Sequence, residues 1–205
     1  MIKLVNLLRE VKATITDDMA IVLHKGPTLI LYNTKEDKVL GSINVYNNEV
    51  TGVAAEKGFG PIMYELGMAM VYPKPLQSDR RGNTEEGAAS IWNKFIDGIN
   101  PKIKVEKVKP SDKDYMSVWP ETGEPIDPYY LDGFINYRFY NPDKSVFNKL
   151  IKKGDTIPKD RQKDIVKKAD DFYQKKLIIH IHNHTQQLKH LYQIKFGFSN
   201  FKAYI

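Results

Sequence analysis

The sequence predicts an α/β fold: a mixed, mainly antiparallel sheet flanked by helices, ending in a basic helical extension. Three observations predict it. Short runs rich in β-branched and aromatic residues fill positions 20–55. Apolar residues recur at helical spacing at 61–71, 84–96, 143–152 and from 159 onward. The links between the first strands are too short to join anything but antiparallel neighbours.

Each element follows in turn. Leu4, Leu8, Val11 and Ile15 predict an amphipathic helix over 2–15. Ala20–His24, Thr28–Tyr32 and Val39–Tyr46 read as three strands, separated by a Gly26-Pro27 turn and the polar stretch 33–38. A fourth, Val50–Ala55, runs into Glu56-Lys57-Gly58-Phe59-Gly60-Pro61 and a helix to Val71, which Pro73 and Pro75 stop. A short segment around Leu76 precedes a second helix, capped by Thr84, whose Trp92 is expected in the core. Residues 102–109 and 134–140 read as strands on either side of a Pro/Asp/Glu-rich excursion, and two helices finish the chain.

The 205 residues, 41% apolar, suffice for one ordinary domain with a full core. No cysteine is present, which excludes disulfides, thiolate metal sites and a cysteine nucleophile. No run of about 18 apolar residues predicts a membrane span, and the charged N-terminus lacks a signal-peptide pattern, so the expected location is the cytoplasm. Residues 1–140 hold 17 basic against 19 acidic side chains; residues 141–205 hold 14 against 6, so the chain's +6 belongs to the tail.

The most informative local feature is the Gly58–Pro61 turn. A helix N-terminus presents unpaired amides and the positive end of the helix dipole, and glycines let a phosphate approach the backbone closely. With Pro61 at the first helical position, the amides of Gly58, Phe59, Gly60, Ile62 and Met63 are available, and Lys57 adds charge. No Gly-Lys-Ser/Thr follows, which excludes a P-loop. A dinucleotide fingerprint requires a small residue where Met63 stands and a parallel first strand, although Asp79 lies at a suitable distance for a ribose acid. A plain strand-to-helix turn accounts for the glycines equally well.

Strand, Gly turn and helix after an antiparallel meander resemble the GNAT acetyltransferases, whose Gln/Arg-x-x-Gly-x-Gly/Ala motif falls on Ala55–Gly60. Val53–Tyr64, Leu76–Arg80 and Ala88…Trp92 resemble GNAT-like proteins of tailed bacteriophages, and this likeness covers roughly residues 40–150. The resemblance implies an acyl-CoA-binding domain over 1–140, with residues 141–205 as an extension packed on it. It implies transfer of an acyl group, most simply acetyl, from acyl-CoA to an amine in the host cytoplasm. The backbone of Val53, Ala54 and Ala55 then lies along pantetheine, while Lys57, Gly58, Phe59, Gly60 and Ile62 meet the phosphates. One departure stands out: Ala55 occupies the Gln/Arg position. The alternative is a non-catalytic, phage-borne binding or virion-associated protein that keeps the fold.

Direct attack of an amine on the thioester requires a base. Asp79 and Glu49, near the ends of the splayed strands, are the candidates, and Asp79 is preferred; each also serves as a turn or cap residue. In the tail, His180, His182 and His184 offer imidazoles for zinc or continue a helical stripe. The run from Lys149 to Lys176 reads as a solvated helix face, with contact to nucleic acid as the other possibility. Lying some 100 residues beyond the groove, its charges are not expected to influence acyl-CoA.

Overall fold

The computed structural model describes residues 13–24, 28–79, 86–120, 122–127 and 134–196, with 86 and 178–196 described by their backbone alone. Strands β1 (Met19–His24), β2 (Thr28–Asn33), β3 (Lys38–Tyr46) and β4 (Glu49–Ala55) form one antiparallel sheet in sequence order. Helix α1 (Gly60–Val71) follows, then α2 (Glu86–Ile96). Strands β5 (Lys104–Lys107) and β6 (Tyr137–Tyr140) pair with each other, and helices α3 (Ser145–Asp155) and α4 (Lys159–Phe196) close the order.

The strands read as nearly continuous apolar runs because both faces of the sheet are covered. Ile21, Leu29, Leu31 and Ile43 point into the cluster completed by α1, α2 and α3. Val22, Ile30, Tyr32 and Val39 point the other way, onto Ile165 and Ala169 of α4. The period of two splits each strand between two cores. Alternation alone puts Val50 and Val53 on opposite faces, yet both contribute to the first cluster. A bulge resolves this: Asn44 pairs with Gly52 and Val45 with Val50, so Thr51 is the extra residue in β4.

Helix α1 is buried on most of its surface, which requires small residues where it nears the sheet. A Cβ at Gly67 comes within 2.9 Å of Ile43 Cδ1 and 3.3 Å of Leu76 Cδ2. In α3, Phe147, Leu150, Ile151 and Gly154 form the inward stripe, and a Cβ at Gly154 lies 1.8 Å from the Ile21 carbonyl oxygen. Trp92 is 1% exposed, with its ring 4.7 Å from Tyr64 and 4.6 Å from Phe139.

The excursion after β5 is tied down. Asn136 donates from Nδ2 to the Met116 carbonyl and accepts from its amide, while Arg138 pairs with Asp114 at 2.6 Å and Asp112 at 3.1 Å. The two sheets are stitched through Leu76 and Gln77: Leu76 bridges Phe139 antiparallel, and Gln77 bridges Glu49 in parallel. Both sheets are antiparallel, and the Glu49–Gln77 bridge is the parallel link among the described residues.

Two expectations need correction. Residues 13–16 hold no regular structure, so no helix reaches Ile15; the rest of that segment, the Gly26-Pro27 turn and Thr84 lie outside the described residues. Gly60 opens α1, which puts Pro61 at the second helical position. Its missing N–H still costs nothing, because the first four amides of a helix have no internal partner.

Candidate functional site

One edge of β4 is paired with β3 along its length, and the other is paired only at its start. Val50 N donates to Gln77 O at 3.0 Å and Gln77 N to Asn48 O at 2.9 Å. From Thr51 to Ala55 no described strand bridges that edge. The bulge at Thr51 bends β4 where the partnership ends, because an unmatched residue locally breaks the ladder and increases twist. Val53 and Ala55 then pack toward the α1 cluster, while Ala54, opposite Ser42, faces the α4 side and is 5% exposed.

The turn after β4 uses its glycine. Gly58 has φ +85°, the left-handed region that favours glycine, and Phe59 N donates back to Glu56 O at 3.0 Å. The Phe59 amide is therefore engaged, and the Met63 amide bonds to Phe59 O at 3.0 Å, so neither is free for an anion as expected. The amides of Gly58, Gly60 and Ile62 meet no backbone acceptor among the described residues. The Phe59 side chain packs on the core, and that of Ile62 is buried, so Ile62 offers its amide only. A Cβ at Gly60 comes within 3.1 Å of Ile91 Cδ1, which brings α2 close to the start of α1.

Charge around the turn is positive. Lys57 is exposed, and Glu56 is flanked by Lys38 at 3.4 Å and Lys176 at 3.6 Å. Two ammonium groups thus flank the Glu56 carboxylate, two positions before Gly58 in the chain.

Where Gln77 parts from β4, two polar side chains are sealed in. Gln77 is 7% exposed and Ser78 is fully buried, and neither Gln77 Nε2 nor Ser78 Oγ has a hydrogen-bond partner among the described residues. Burying such a group unpaired costs about 1–3 kcal/mol. Strand alternation puts Ser78 on the Leu76 face and Gln77 on the opposite one. Asp79, partly buried, comes next, and Glu49 lies in the parallel bridge. Residues 80–85, with Arg80 and Arg81, lie outside the described residues. Sequence reasoning missed Gln77 and Ser78; the one available signal was a polar pair directly after a core leucine.

A cavity of about 410 Å³ lies away from this opening, between α1, α3 and residues 13–15. Its charged groups and amides are matched: Lys102 pairs with Asp143 at 2.9 Å, and Asn141 donates to Glu65 O at 3.1 Å.

The basic run is spent largely on the fold. Lys149 and Lys153 pair with Asp17, Arg161 and Lys168 with Asp37, and Lys176 with Glu56. His180, His182 and His184 lie within the helical backbone of α4, and their side chains fall outside the described residues. No helix among the described residues is long and apolar enough to cross a membrane. Compared with protein-family models, curated proteins and solved structures, the chain matches none.

Proposed function

We propose that this chain is a GNAT-type acyl-CoA-binding protein that transfers an acyl group, most simply acetyl, to an amine. The observation that carries the reading is the orphaned pair Gln77 and Ser78, buried where the parallel partner leaves β4. A buried donor and hydroxyl without partners call for a polar ligand that enters the opening, and pantetheine, with its two amides, has the matching groups. The amides of Gly58, Gly60 and Ile62, beside Lys57, Lys38 and Lys176, suit its phosphates. The unbridged edge of Val53–Ala55 supplies further backbone donors and acceptors along the same line.

In the proposed reaction the amine nitrogen bonds to the thioester carbon and the carbon–sulfur bond breaks. The CoA thiolate leaves, and the proton shed by the amine balances it as free thiol. Asp79 is the proposed base, since it follows Ser78 at the opening.

Ala55 favours a second reading. Its methyl packs on the core where the family carries Gln or Arg, so no phosphate contact comes from that position. A binding protein that keeps the groove without turnover accommodates this.

Thiol release from acetyl-CoA, followed with a thiol reagent against a panel of amines, tests the proposal. The chain has no cysteine, so every thiol detected is product. Amine-dependent release that Asp79→Asn lowers is the expected result; acyl-CoA binding without release for any amine selects the second reading.

A further inference from the structure

On the far side of the sheet a cavity of about 140 Å³ lies between α4 and strands β1 to β3. Its floor is Ser42, 5% exposed, with Asn44 and Thr28 beside it; its roof on α4 includes Tyr173. His24, Asp170 and Gln174 stand at the exposed rim. Unlike the polar groups of the larger cavity, these side chains form no hydrogen bond or ion pair among the described residues. A sheet face covered by a helix ordinarily pairs or excludes such groups. Here seven of them converge and leave their capacity open.

The chemistry of the lining selects the charge of the occupant. Asp170 is the carboxylate, and no lysine or arginine among the described residues lines the space. Two α4 ammonium groups are committed elsewhere, Lys168 to Asp37 at 2.6 Å and Lys176 to Glu56 at 3.6 Å. Hydroxyl and amide oxygens from Thr28, Ser42 and Asn44 accept from an N–H donor, and the Tyr173 ring offers a π face. The size suits a small molecule, since a cavity of about 150 Å³ holds benzene.

We infer that this cavity is a binding site for a small organic ammonium: a short amine or diamine, or the end of a lysine side chain. The site borders β4, because a Cβ at Gly52 lies 2.6 Å from the Tyr173 hydroxyl oxygen. It stands independently of acyl-CoA binding.

Calorimetric titration with 1,4-diaminobutane, at neutral pH and without acyl-CoA, tests it, with sodium acetate as the anionic counterpart. Saturable binding of the diamine and none of acetate is expected. Asp170→Asn weakens it at least tenfold, the loss expected when a charged hydrogen bond of about 1.5–3 kcal/mol goes. Ser42→Val, which makes the floor apolar, weakens it similarly. Asp171→Asn, the same charge change at an exposed residue outside the lining, leaves it unchanged. Circular dichroism confirms that each variant is folded. Absence of saturable binding, preference for acetate, or equal weakening by Asp170→Asn and Asp171→Asn overturns the assignment.

Discussion

Lys176 of α4 reaches Glu56, Nζ to Oε2 at 3.6 Å, and so ties the basic tail to the residue two positions before Gly58. Sequence separation alone keeps the tail's charges away from the glycine turn; the fold brings one of them to it. Lys176→Glu is therefore expected to weaken acetyl-CoA binding about threefold to tenfold, by setting a second carboxylate beside Glu56 at the proposed phosphate site. Lys167→Glu, exposed on the same helix, serves as control and leaves affinity unchanged. Equal affinities for both variants in a calorimetric titration contradict this placement of the phosphates.

Ser78→Ala is expected to move stability and binding in opposite directions. Its hydroxyl is buried without a partner, so Ser78→Ala relieves a desolvation cost and leaves the free protein as stable or up to about 1–3 kcal/mol more stable. The same change is expected to weaken acyl-CoA binding. Denaturant unfolding and titration together check the pair of effects; a destabilised variant with unaltered affinity contradicts both.

Docking of α4 depends on acid. Asp37 accepts from Lys168 and Tyr32 and pairs with Arg161, and these partners, Lys168 foremost, hold its carboxyl well below the usual carboxylate range. Asp17 is lowered in the same sense, chiefly by Lys149. A carboxyl depressed by folding contributes stability that is fully present above its unfolded value of about 3.9 and is lost as pH falls through the folded value. The melting temperature is thus expected to decline as pH drops below about 5, and Asp37→Asn to flatten that decline. An unchanged acid limb in the variant shows that Asp37 does not carry it.

Two core contacts give large, separable effects. Trp92→Ala, which empties the space between Tyr64 and Phe139, is expected to cost about 3–5 kcal/mol. Gly154→Ala drives a methyl into the Ile21 carbonyl, which as backbone cannot yield, and is expected to displace α3 from β1. Urea unfolding measures both, and a loss below about 1 kcal/mol in either contradicts the packing described.

These residues also show what the sequence made legible. The four-strand meander, α1 and the burial of Trp92 follow from periodicity and composition, which register over six or more residues. The short strand expected around Leu76 shortens to two isolated bridges, and its partners, Phe139 and Glu49, are distant in sequence and so carried no local signal. The bulge at Thr51 escapes because Val50 and Val53 carry no mark of which face they share. The burial of Ser78 depends on neighbours distant in sequence, as does the approach of Tyr173 to Gly52. Positive φ at Gly58 was legible as a glycine turn, but not which of its amides the turn would engage.

Thermal denaturation with saturating acetyl-CoA tests the central claim most directly, with NAD as the comparison ligand. At about 100 times its dissociation constant a ligand stabilises by about 2.7 kcal/mol, or roughly 5–10 °C for a chain of this size. A saturable rise is expected with acetyl-CoA and none with NAD, and the rise is expected to vanish in Gly58→Val, which forces a β-branched residue into a left-handed conformation at the turn. No rise at millimolar acetyl-CoA, or a rise of equal size with NAD, contradicts it.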